Sequence, residues 1–138
     1  MNISNIDWPN NSKDSVVLYL AFLLKVIRDK KIELPKQIVD FDTIEITEKY
    51  INGDMSSETY HLYANFWWKY LDDNEKLRDF SNYDALSARI AICLLSATEE
   101  DADKLGEHLA WFFELMDYLG VNIDDLLKDM RKHFSFKS

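Results

Sequence analysis

A chain of 138 residues, 47% hydrophobic and 30% charged, has the composition of one folded domain with a real core, not of a disordered segment. Only three Gly and two Pro leave few sites for tight β-turns, so helices joined by short loops are expected. A net charge of −9 repels phosphate backbones and anionic membrane surfaces, which argues against nucleic-acid and membrane partners and favours a basic protein.

In chain order, residues 1–11 read as an irregular lead-in, with Trp8 able to pack down as an anchor. Ser12 is the predicted N-cap of a first helix that runs to about Lys31. Its middle, Val16 to Ile27, is apolar nearly all round, so this helix is expected to be central. Pro35 suits the start of a short helical turn, Lys36 to Asp40. Asp42 and Glu45 form a capping box, with Phe41 and Ile46 at the staple positions, for a second helix ending at Asn52 and Gly53.

Ser56 caps a third helix, the most aromatic part of the chain. Tyr60, Tyr63, Trp67 and Tyr70 share one face; Leu62, Phe66 and Lys69 fall on another. Residues 72–82 are the longest polar stretch, with room for a turn around Glu75 to Asp79. Asn82 then caps a fourth helix up to about Ala97, lined by Leu86, Ile90, Cys93 and Leu94 and rich in small alanines that allow close helix approach. Thr98 and Asp101 read as a capping box opening a fifth helix up to Leu119, closed by Gly120. Asn122 and Asp125 cap a last helix that packs through Leu126, Leu127, Met130 and Phe134, and the tail Ser135–Ser138 is expected to fray. The expectation is an all-α, single-domain antiparallel bundle of about five to six helices.

Catalytic signatures are missing from the sequence. It has no glycine-rich phosphate loop and no Gly-x-Ser-x-Gly elbow. Glu58-x-x-His61 matches half of a carboxylate-bridged di-iron site, but no second copy exists and His108 and His133 stand apart. Neither a metal nor any other cofactor is expected, and a non-enzymatic protein is the preferred reading. Cys93, the single cysteine, sits in an apolar run and reads as a buried, inert thiol. The run Val16 to Leu24 is too short to span a bilayer and lacks signal-peptide flanks, which points to the cytoplasm.

The charge is uneven. Residues 1–69 hold 8 basic and 10 acidic side chains, and residues 70–138 hold 8 basic and 15 acidic ones. Asp72, Asp73 and Glu75 cluster before the fourth helix, and Glu99, Glu100, Asp101 and Asp103 after it. Helix capping and solubility explain much of this. The functional alternative is a surface that imitates phosphates and blocks a cationic site. Trp67 and Trp68 point about 100° apart on a helix, so Trp68 is a candidate exposed anchor. Together these acids and Trp68 form the candidate partner-binding set.

The helix ending in Asn52-Gly53-Asp54 is followed by a new one opening at Met55-Ser56-Ser57-Glu58 and closing at Trp67-Trp68-Lys69-Tyr70-Leu71-Asp72. Next come Ala88-Arg89-Ile90-Ala91-Ile92-Cys93-Leu94-Leu95, an acidic turn and Leu109-Ala110-Trp111-Phe112-Phe113. Over about residues 45–120 this pattern resembles small helical bacterial immunity proteins encoded beside polymorphic or contact-dependent inhibition toxins. The resemblance implies a protein that binds a cognate toxin domain and masks its active or substrate-binding surface; nuclease toxins are commonly basic, which suits an acidic inhibitor. It carries no catalytic motif and therefore no residue roles. A regulatory adaptor, dimerising through its aromatic helix, is the alternative, and a helical enzyme with a carboxylate site is a third reading.

Overall fold

Short polar side chains set the helix starts. The computed structural model describes residues 3–34, 41–74 and 80–137, and these described residues form six α-helices. They are α1 (Ser12–Asp29), α2 (Thr43–Ile51), α3 (Ser57–Asp73), α4 (Tyr83–Ser96), α5 (Leu105–Tyr118) and α6 (Ile123–His133). Asp42, Ser56, Asn82 and Asn122 cap α2, α3, α4 and α6 through side-chain oxygens that accept backbone N–H groups. The cap of α1 is Asn11 instead of Ser12: its Oδ1 accepts the Asp14 N–H at 3.1 Å, and Ser12 becomes the first helical residue. The predicted turn at 36–40 and that around Glu75 to Asp79 lie outside the described residues.

Three helices end the same way. After α2 and α5, Gly53 (φ 81) and Gly120 (φ 85) adopt the left-handed conformation. The following N–H groups, of Asp54 and Val121, then reach back to the carbonyls of Lys49 and Met116. After α1 the same pattern forms at Lys31, a non-glycine with φ 54, and Ile32 N–H donates to the Ile27 carbonyl.

The core has two inner helices. The apolar ring of α1 is covered as expected, but α4 is more enclosed still: every residue from Ala85 to Leu95 is buried, Arg89 included. Its alanines let α3 pack closely along it, forming the most extensive helix pair. The pair is antiparallel. At one end Tyr60 of α3 donates its hydroxyl hydrogen to the Leu94 carbonyl. At the other, Tyr70 lies near enough to Asp84 for the carboxylate, added to the larger effect of burial, to raise the phenol's pKa. A buried polar network adds α2: Trp67 Nε1 donates to Thr43 Oγ1, Thr47 donates to the Thr43 carbonyl, and the Tyr60 hydroxyl lies 3.2 Å from Thr47 Oγ1. The Tyr50 and Tyr60 rings stack at 4.2 Å.

Two expectations are corrected. Thr98 makes no capping bond to backbone; its hydroxyl is engaged by the Glu100 carboxylate instead. The chain therefore runs as a 3-10 segment, Glu99–Lys104, with a kink at Asp101, and α5 begins only at Leu105. The tail does not fray over Ser135 to Lys137. Ile6 and Phe136 form an antiparallel bridge, Asp7 N–H donates to Ser135 O at 2.8 Å, and Lys137 N–H donates to Asn5 O at 2.8 Å. Burying Ile6, and packing Trp8 edge-on against Phe134 at 5.2 Å, holds the two ends together.

Candidate functional site

The third helix buries one face and leaves the opposite one exposed. Tyr60, Ala64, Trp67 and Leu71, at helical spacing, face α2 and α4. Trp67 is inward because its indole N–H finds Thr43; Trp68, one position on, swings out and is 41% exposed. Two exposed stripes remain. Glu58, His61, Asn65, Trp68 and Asp72 form one, and Leu62, Phe66, Lys69 and Asp73 the other. Leu62 and Phe66 are 57% and 55% exposed, and Phe66 joins the rings of Phe41 and Tyr63 at 5.6 and 6.2 Å. An exposed aromatic patch of this kind is the usual sign of an interaction surface.

Acidic groups bound the face at both ends. At the N-terminal end, Glu58 and His61 line an open cleft of about 340 Å³ with Thr98, Glu100 and Asp101 of the 3-10 segment. The Thr98 hydroxyl holds the Glu100 carboxyl below the usual range, with a smaller contribution from His61. At the other end stand Asp72 and Asp73. Asp73 pairs with Lys69 at 2.8 Å, whereas Asp72 makes no ion pair among the described residues. Glu58 and Asp72 are about 21 Å apart along the helix at 1.5 Å per residue.

The expected binding residues divide. Trp68, Asp72, Glu100 and Asp101 border or belong to this face, and so does Asp73 through the second stripe. Glu99 is turned away to Lys13, 3.8 Å distant. The Lys13 ammonium also sits 3.6 Å from the Tyr50 ring centre and donates to the Tyr50 carbonyl, so Glu99 belongs to the joint of α1 and α2. Asp103 is exposed but does not line the cleft. Glu75 lies outside the described residues. Glu58, His61, Leu62 and Phe66 complete the surface. Their shared arc is readable from helical spacing, but its exposure is decided by where the other helices pack.

A second exposed aromatic group lies just before the start of α4. Phe80 stacks on Tyr118 at 5.0 Å and covers the Arg89 guanidinium at 4.3 Å. Its partners come from separate helices, so no local pattern announces it.

Cys93 is fully buried, and burial pushes its thiol well above the ordinary range, which disfavours the thiolate. Among the described residues no group of three or more His, Cys, Asp or Glu is placed to hold a metal ion, and no helix is long and apolar enough to cross a membrane. No protein-family model, no curated protein and no solved structure matches this chain.

Proposed function

We propose that this chain is a protein-binding domain that neutralises a basic partner by covering it, in the manner of an immunity protein acting on a toxin domain, a nuclease being the favoured partner. The observation that carries the reading is the outer face of α3. It exposes Leu62, Phe66 and Trp68 side by side, with acidic groups at both ends. Aromatic anchors supply affinity when a partner excludes water from them. Surrounding acids speed encounter with a basic domain and reject acidic ones.

The test uses the product of the gene adjacent to this one. Co-expression with this chain should abolish that product's toxicity, and the two should co-purify in a one-to-one complex. Trp68→Ala together with Phe66→Ala should break the complex while leaving the helical spectrum intact. A non-toxic neighbour, or one that stays toxic on co-expression, would sink the proposal.

A further inference from the structure

Resting on that binding reading, we infer that the outer face of α3 takes an amphipathic helix of the partner, basic at both ends and apolar between. The pattern along α3 is acid, apolar, acid. Glu58 with Glu100 and Asp101 stands at one end, Leu62, Phe66 and Trp68 in the middle, and Asp72 at the other, where Asp73 is already paired to Lys69. Both exposed stripes follow alternating steps of three and four residues, the spacing at which one helix meets another lengthwise. The distance from Glu58 to Asp72 is about 21 Å, or about four helical turns. A complementary helix therefore needs cationic side chains about 14 residues apart, with apolar ones on the same face between them. The open cleft at Glu58 and His61 gives the first cation room to enter among three carboxylates.

Charge disfavours a second copy of this chain as the natural occupant. Antiparallel pairing of two α3 helices about Asn65 sets Glu58 of each copy against Asp72 of the other, so like charges meet at both ends. Parallel pairing sets each of these acids against itself. Two molecules of net charge −9 also repel before contact. A basic helix reverses the sign of all three terms.

Stapled helical peptides of about 18 residues test this with the intact chain. The first probe has lysines about 14 residues apart with leucines between them on the same face. The second has the same composition with the lysines central and the leucines at the ends. The third replaces the lysines of the first with glutamates. Titration should show the first binding at least about tenfold more tightly than the second or third. Glu58→Lys with Asp72→Lys should turn the preference towards the glutamate probe. Phe66→Ala should weaken the first by about thirtyfold, the scale of a hot-spot residue, with helical content unchanged.

Equal binding of the first two probes, or a preference untouched by the double charge reversal, overturns the inference. So does a dimer in solution that Phe66→Ala converts to monomer, because α3 would then belong to a second copy. The two proposals fail separately. A neighbouring gene product captured equally well by the charge-reversed chain overturns only helix docking, and correct peptide discrimination beside an ignored neighbour overturns only the immunity reading.

Discussion

The hydroxyl of Tyr60 in α3 donates to the carbonyl of Leu94, one of the last four carbonyls of α4, which have no partner within their own helix. A buried side chain of one helix thus closes the end of its antiparallel neighbour. Burial raises the pKa of Tyr60 above the ordinary phenol range, which favours the protonated, donating hydroxyl. Tyr60→Phe keeps the ring stacked on Tyr50 and removes this bond together with the hydroxyl's contact to Thr47 Oγ1. The loss should be about 1–3 kcal/mol, the cost of an orphaned buried carbonyl. Urea unfolding should show a lower midpoint at an unchanged slope.

The paired chain ends should contribute measurably to stability. Removing residues 135–138 breaks the Asp7 to Ser135 and Lys137 to Asn5 bonds and uncovers Ile6. Two part-exposed backbone bonds and one apolar side chain suggest a loss of about 2–4 kcal/mol. Hydrogen exchange should register it first at the amide of Asp7. Unchanged exchange there would mean that the bridge does not persist in solution.

How far the sequence was readable follows from the range of each interaction. The caps at Asp42, Ser56, Asn82 and Asn122 are settled within four residues, so pattern alone finds them. Thr98 misleads because its hydroxyl, which as a cap would accept a backbone N–H, is instead turned to donate to the Glu100 carboxylate. The tail misleads because its partners lie about 130 positions away, near Asn5. At the site, spacing shows that Trp67 and Trp68 point apart, but Thr43 of another helix decides which one is inside. The acidic residue types were visible, whereas α3 as the rod between Glu100 and Asp72 depends on the antiparallel packing of α3 and α4. Glu99 drops out of the surface for an equally distant reason, since Lys13 of α1 draws it away.

Lys31 holds the left-handed position that Gly53 and Gly120 hold after α2 and α5. For a side chain with a Cβ that conformation costs about 1–2 kcal/mol. Lys31→Gly should therefore stabilise the chain, by about 1 kcal/mol or less after the greater freedom of glycine in the unfolded state is deducted. Gly53→Ala and Gly120→Ala should each destabilise by about 1 kcal/mol, although added Cβ atoms would meet nothing within 4 Å at either site. The opposite signs would show in thermal melts, and they separate backbone conformation from crowding as the cause.

His108 supplies the chain's predicted pH response in mildly acid solution. Its ring lies beside Tyr19, with centroids 6.4 Å apart, and burial lowers its pKa below the ordinary value of about 6.5, outweighing the opposing pull of Asp101 and Glu107. The unfolded chain then binds this proton more readily than the folded one. The neutral imidazole's contribution is fully present above pH of about 6.5 and is lost as pH falls through the lower folded value. His108→Asn removes the titration, so the stability difference between native chain and variant should shift against the native chain as pH falls below about 6.5, then level off. Urea unfolding of both at a series of pH values measures this directly. A difference that is flat across that window would show that His108 titrates alike in the folded and unfolded chain.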